Sequence, residues 1–187
     1  MSLQATTSQT VGPYLHLGLS WLNTDEIAPP GMAGRRVRIS GRIIDGEGAL
    51  VPDAMLEIWQ ADHRGRFAHP EDARAGEVEP GFRGFGRVPT DAEGAFRFQT
   101  IKPGRVPGPG GGWQAPHLLV SIFARGLLKH LVSRLYFPDE PDNASDPILA
   151  LVDPERRDTL IARAAGDELL EWDIVLQGPR ETVFFEF

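Results

Sequence analysis

The chain has no cysteine among its 187 residues. Disulfide bonds, zinc–thiolate sites, iron–sulfur clusters and cysteine nucleophiles are therefore excluded. Tyrosine is also scarce, because Tyr14 and Tyr136 are the only two in the sequence. A site that needs several phenolic oxygens has few donors available here.

Positive charge is in deficit as well. The sequence carries 19 lysines and arginines against 26 aspartates and glutamates, a formal net charge of −7. Nucleic acids and anionic membrane surfaces attract basic faces, so we expect neither as a partner. No apolar run is long enough to span a bilayer, and the first residues lack the charged and apolar stretches of a signal peptide. A cytoplasmic location is the expectation.

What the sequence does contain is a series of short alternating segments separated by turns rich in glycine and proline. In residues 37–44, for example, Val37, Ile39 and Ile43 alternate with polar residues. Similar segments lie at 54–60, 85–90, 95–100, 118–124, 131–137, 170–177 and 182–187. This pattern predicts an all-β chain, a single domain over residues 1–187 folded as an antiparallel β-sandwich.

Three further features complete the predicted fold. Pro89 indicates that residues 85–90 form an edge strand. Asp153 followed by Pro154 predicts the start of one short helix near 153–165. Residues 1–34 are predicted to form an extended N-terminal arm, whose many apolar side chains must pack against their own domain or against a neighbouring chain.

Several polar clusters suggest ligand sites but have simpler interpretations. Asp62, His63 and His69 share one loop, and acidic residues crowd the segment 139–146. Neither has the spacing of a known metal loop, so both are interpreted as solvated loops. The glycines of 108–112 lack the lysine of a phosphate-binding loop and lead into a strand.

Arg125 follows the apolar segment 118–124 and precedes Gly126. An arginine at the end of a strand presents a planar, permanent cation that can bind a carboxylate through two hydrogen bonds. The residue pattern by itself favours a structural ion pair or a simple surface position.

Long segments of the sequence, taken together, resemble a known family. They are SQTVGPYLHLGL, LEIWQADHRGRFAHP, FRGFGRVPTDAEGAFRFQTIKPG, WQAPHLLVSIFARG, RLYFPDE and IVLQGPRETVFFEF. These resemble the protocatechuate 3,4-dioxygenase group of the intradiol ring-cleaving dioxygenases over nearly the whole chain. The resemblance implies a β-sandwich, in agreement with the strand pattern.

The resemblance also implies a ferric centre held by two tyrosinates and two histidines. The matching positions in this chain are Phe67, Val106, His117 and Leu119. Three of these side chains have no donor atom, and a single imidazole cannot hold Fe(III) against water and hydroxide. We therefore expect no metal in this chain and interpret His117 as a relic or a structural histidine.

The resemblance also implies a partner chain. The resemblance is to the α type of subunit, which would form an obligate hetero-oligomer with an iron-bearing β subunit. Fe(III) would be held by that β subunit and not by this chain. The shared site would cleave protocatechuate with O2 to 3-carboxy-cis,cis-muconate.

Within that site, Thr10, Gly12, Pro13 and Tyr14 match substrate-binding positions of the arm. Arg125 matches a residue that binds the substrate and assists catalysis by positioning it. Two alternatives stay open: a stand-alone dioxygenase for another catechol, disfavoured by the missing ligands, and a binding module without enzymatic activity.

Overall fold

The computed structural model describes residues 6–186. Its strands are β1 (Arg36–Ile44), β2 (Met55–Trp59), β3 (Phe85–Pro89), β4 (Ala95–Ile101), β5 (Val106–Pro107), β6 (Trp113–Gln114), β7 (His117–Phe123), β8 (Leu131–Tyr136), β9 (Arg163–Ala164), β10 (Leu169–Glu171) and β11 (Ile174–Val175). The first five residues of the predicted arm lie outside the described residues.

The strands form two principal sheets and a small hairpin. One sheet has the order β11-β1-β10-β9, and β4 also pairs with β1. The second has the order β3-β2-β7-β8, and β5 pairs with β6. The predicted sandwich is confirmed, and Pro89 does end an edge strand. The pairing is not wholly antiparallel, because β10 and β11 run parallel to β1.

Alternation along the strands determines which side chains reach the core. In β1, Val37, Ile39 and Ile43 are buried, as the sequence pattern predicted. They belong to the same apolar cluster as buried residues of β2, β4 and β7, so the core lies between the two sheets. Because the even-numbered residues of β7 point inward, the odd-numbered ones, from His117 to Phe123, occupy the outer face.

The predicted helix near 153–165 is present but shorter. A 3-10 helix spans Pro154–Leu160, and the Asp153 side chain accepts a hydrogen bond from the Glu155 N–H at its start. The chain then becomes extended, because Leu160 and Ala162 are both buried at a spacing of two residues. The prediction is therefore wrong beyond residue 160, where β9 soon follows.

The arm is not wholly extended. A short α-helix, α1, spans Tyr14–Gly18, and a 3-10 helix spans Ser20–Leu22. This departs from the prediction because residues 14–17 contain no glycine or proline and Pro13 starts the helix. The arm is attached to the sandwich by backbone hydrogen bonds from Thr24 N–H to Arg87 and from Ile27 N–H to Gln99. Within residues 6–186, no helix is long and apolar enough to cross a membrane.

Candidate functional site

The turn between β7 and β8 presents Arg125. It closes with a hydrogen bond from the Leu127 N–H to the Ala124 carbonyl oxygen, 3.2 Å away. Gly126 has a φ of +91°, a conformation that side-chain-bearing residues rarely adopt. The Arg125 side chain is 78% exposed, so its charge faces solvent at the corner of the second sheet.

Thr10 of the arm is bound to this turn. Its hydroxyl oxygen accepts a hydrogen bond from the Gly126 N–H at 2.9 Å and donates one to the Ala124 carbonyl at 3.3 Å. The single hydroxyl thus bridges the residues on both sides of Arg125. The structure therefore brings together two predicted site residues that are separated by more than a hundred positions in the sequence.

The other predicted arm residues follow directly. Gly12 and Pro13 are exposed, and their carbonyl oxygens accept the N–H groups of Leu15 and Leu17 at 3.1 Å each. Tyr14 begins α1 and is 80% exposed. The segment 10–14 thus forms an open surface beside the Arg125 turn.

Asp53 is a residue that the sequence reasoning missed. Its Oδ2 atom lies 2.9 Å from Nε of Arg125. The contact follows from register: Met55 lies opposite Phe123 in the β2–β7 pair, and two residues further toward the same end these strands carry Asp53 and Arg125. A strand pairing of β2 with β7, had it been predicted, would have pointed to this ion pair.

Two positions that match the family's metal ligands, His117 and Leu119, lie on the outer face of β7, whereas Phe67 lies in a loop and Val106 on β5. Phe67 stacks on Trp59, with ring centroids 5.9 Å apart and planes at 3°. Trp59 lies directly opposite Leu119 in the β2–β7 pair. Two of the donorless positions are therefore linked through one tryptophan.

The loops that carry Phe67 and Val106 are packed backbone to backbone. Gly104 donates its N–H to the carbonyl oxygen of Asp62 at 2.9 Å. A Cβ atom on Gly65 would lie 1.9 Å from the carbonyl oxygen of Arg105. Glycine is therefore required at this crossing, which fixes the two matching positions near one another.

A buried cation stands among these positions. Arg134 lies opposite Leu119 in the β7–β8 pair and is only 8% exposed. Its Nη1 donates to Oε1 of Gln114 at 2.7 Å, and Gln114 lies opposite Val106 in the β5–β6 pair. The guanidinium therefore connects β8 and β6, the strands that pair with those carrying positions 119 and 106.

His117 is held beside this cation. Its Nδ1 atom lies 2.7 Å from the carbonyl oxygen of Ala115, a contact in which Nδ1–H donates. Its ring packs against that of Tyr136, with the ring centroids 5.7 Å apart. Burial, reinforced by the positive charge of Arg134, lowers the pKa of His117 to about 4. His117 is therefore neutral at physiological pH.

Asp146 belongs to the same network of buried contacts as Arg134, His117 and Tyr136. It is 1% exposed and accepts the N–H groups of Ala115, Ile148 and Leu149 at 2.7 to 2.9 Å, together with the Tyr136 hydroxyl at 3.2 Å. The predicted solvated role is wrong for this residue, because its side chain is buried against Ala115, between β6 and β7, and against Tyr136 of β8. Sequence reasoning missed both Asp146 and Arg134, since charged residues in loops and strands usually face water.

The solvated interpretation of the loop with Asp62, His63 and His69 is wrong for Asp62, which is 2% exposed, whereas His69 is exposed. Asp62 is buried in an ion pair with Arg66 at 2.7 Å, and His69 contacts the edge of Trp59. Among residues 6–186 there is no group of three or more histidine, aspartate or glutamate side chains that could hold a metal ion.

Comparison with known proteins identifies the family. The model of the Dioxygenase family matches residues 20–178. The chain therefore belongs to the intradiol dioxygenase family, as the resemblance implied.

Its relatives include both types of chain in one enzyme. It is 42% identical over 201 aligned positions to the protocatechuate 3,4-dioxygenase alpha chain of Burkholderia cepacia, covering 99% of this chain and 98% of the relative. Identity to the Pseudomonas putida alpha chain is 41%, with the same coverage. The beta chain from Burkholderia cepacia is 38% identical over 78% of this chain and 66% of the relative. The match to alpha chains thus extends over nearly the whole sequence.

Solved structures agree on the fold. The dioxygenase domain of a carbohydrate-binding fusion protein from Streptomyces sp. SirexAA-E superposes with a TM-score of 0.63 at 28% identity, covering 86% of this chain and 89% of that one. Catechol 1,2-dioxygenase from Acinetobacter sp. ADP1 gives a TM-score of 0.64 at 19% identity over 84% and 62% of the two chains. This second likeness concerns the fold alone.

The family uses Fe(III), and the residues of this chain do not fit that ion. Phe67, Val106 and Leu119 offer no donor atom, and the first of them is stacked on a tryptophan. The one imidazole, His117, is committed to a backbone carbonyl through Nδ1 and lies beside the permanent cation of Arg134. The positive charge of Arg134 would repel a trivalent cation bound at this place.

Proposed function

We propose that this chain is the α subunit, without iron, of a cytoplasmic protocatechuate 3,4-dioxygenase. It would form an obligate hetero-oligomer with an iron-bearing β subunit. Together they would cleave protocatechuate with O2 to 3-carboxy-cis,cis-muconate. Near full-length similarity to two alpha chains supports this assignment.

The observation that carries the proposal is the hydrogen bonding of Thr10 to the Arg125 turn. It brings the arm segment with Gly12, Pro13 and the exposed Tyr14 to the turn that carries the exposed Arg125. Protocatechuate has a carboxylate on its aromatic ring. Arg125 would bind that carboxylate, while the arm would line the ring and orient it toward the partner's reacting centre.

The arm also supplies an interface. Leu17 and Trp21 are each 76% exposed, and they follow the exposed Tyr14 in the same helical part of the arm. Large apolar side chains grouped in this way mark a surface that a partner covers. We infer that residues 1–34 contact the β subunit, and that this contact places Arg125 and the segment 10–14 at the shared site.

Co-expression with the protocatechuate 3,4-dioxygenase beta chain of the same organism tests the proposal. The two chains should copurify and form 3-carboxy-cis,cis-muconate from protocatechuate, whereas the chain alone should be inactive. Ring cleavage of any catechol by the chain alone would instead favour a stand-alone dioxygenase. Failure to copurify would favour a binding module with another partner.

A further inference from the structure

We propose that Asp53 is a positioning residue for Arg125, and that the pair selects aromatic substrates carrying a ring carboxylate. The inference rests on the proposed function, in which Arg125 binds that carboxylate. Asp53 itself enters from the structure, through the 2.9 Å contact between its Oδ2 and the Arg125 Nε.

The aspartate is the anchored member of the pair. It precedes Ala54, which is fully buried and donates its N–H to the Thr90 hydroxyl oxygen at 3.0 Å. The same hydroxyl donates to the Val51 carbonyl at 3.0 Å. The backbone is therefore held on both sides of Asp53, and its side chain is 28% exposed against 78% for the arginine.

The edge of the guanidinium that Asp53 contacts determines which edge can bind the substrate carboxylate. An arginine binds carboxylates either along the side that includes Nε or at the end formed by Nη1 and Nη2. The contact at 2.9 Å engages Nε, which is distinct from Nη1 and Nη2, whose N–H groups form the end of the fork. A ring carboxylate can then be bound by both Nη atoms in one plane.

Two effects of Asp53 oppose each other. Its negative charge reduces the attraction of Arg125 for an anion, but at an exposed site water and salt weaken that effect. Its ion pair restrains a long side chain that would otherwise sample many rotamers, and recognition by two parallel hydrogen bonds depends on orientation. Orientation is therefore the larger effect, and loss of Asp53 should weaken substrate binding.

The test uses the assembled complex with its β chain. Asp53→Ala should lower kcat/KM for protocatechuate by about 3- to 5-fold, the range expected for losing one exposed ion pair, mainly through KM. The methyl ester of protocatechuate carries no charged carboxylate. Its inhibition constant should therefore differ by less than about 2-fold between Asp53→Ala and the wild type. Asp53→Glu should restore part of the loss, and Asp53→Asn keeps the size of the side chain should the alanine variant fold poorly.

A double-mutant cycle separates positioning from a structural role. In an Arg125→Ala complex, replacing Asp53 should have no further effect on kcat/KM. An equal loss in both backgrounds would overturn the proposal, and so would a gain in affinity for protocatechuate.

An inactive wild-type complex would refute the proposed function. In that case, a measurement on the isolated chain still tests the ion pair. The Arg125 Nε–H should exchange with water more slowly in the wild type than in Asp53→Ala, as followed by NMR. Equal exchange rates would show that the pair does not hold the arginine.

Discussion

The hydroxyl of Thr10 accepts a hydrogen bond from the Gly126 N–H at 2.9 Å, although 116 positions separate the two residues. This contact joins the N-terminal arm to the turn that carries Arg125. In the proposed function, the arm and the sandwich meet at this point to line the bound ring.

Replacing Thr10 tests that relationship. Thr10→Val removes the hydroxyl while keeping the shape, so it leaves the Gly126 N–H without its acceptor. We expect kcat/KM of the complex for protocatechuate to fall by about 3- to 10-fold, the equivalent of one net hydrogen bond. Thr10→Ser, which keeps the hydroxyl, is the matched control and should stay close to wild type. Equal activity of the two variants would remove the bridge from the account.

Replacing Arg125 tests the role of the exposed cation. Arg125→Ala should raise KM for protocatechuate by about 10- to 100-fold, because hydrogen bonds to charged groups contribute more than neutral ones. The iron content of the complex should stay at the wild-type value. Arg163→Ala is the control, since Arg163 is similarly exposed at 70% but lies on β9 in the other sheet. Loss of iron with Arg125→Ala would show that the residue supports the metal centre instead.

The arm is predicted to be an interface. Leu17→Ser and Trp21→Ser should weaken assembly with the β chain. In sedimentation experiments, the variant complexes should therefore dissociate at a higher protein concentration than the wild type. Because both side chains are exposed, the stability of the isolated chain should change by less than about 0.5 kcal/mol. Leu151→Ser, at an equally exposed site outside the arm, is the control. Unchanged assembly would mean that the partner binds elsewhere. Deletion of residues 1–22 should have the stronger effect, impairing both assembly and turnover.

The buried histidine gives the chain a pH dependence. The pKa of His117 is lowered to about 4, below its ordinary value near 6.5. Between these values the unfolded chain binds a proton that the folded chain rejects, so the free energy of unfolding falls as pH drops from about 6.5 to about 4. The effect should be about 1–3 kcal/mol in denaturant titrations.

Two variants isolate the cause of that dependence. His117→Asn retains a donor toward the Ala115 carbonyl and does not titrate, so its stability should be flatter over this range. Arg134→Met removes the neighbouring cation and should raise the pKa of His117 in an NMR titration. A His117 that titrates near its ordinary value in the wild-type chain would contradict this description of the network.

Much of the fold could be predicted because it depends on local patterns. Alternation in β1 and β7 gave the buried faces, and Pro89 marked an edge. The helix after Asp153 was predicted too long, because Leu160 and Ile161 suit either a helix or an extended segment. Only the burial of Leu160 and Ala162 in the packed structure decides between them.

The candidate site was less accessible. Thr10 and Arg125 were found through resemblance, but their contact requires the tertiary fold. Asp53 was missed because its partner comes from strand register, and Arg134 because a charged residue in a strand usually faces water. A charge in a loop or strand does not reveal its neighbour across the sheet.

Iron content tests the central claim most directly. The chain purified alone should be colourless and free of iron. The complex with its β chain should be coloured and contain about one iron per pair of chains, since only the partner is expected to have the full ligand set. Stoichiometric iron in the isolated chain would contradict the account and direct attention to His63, His69 and the two tyrosines.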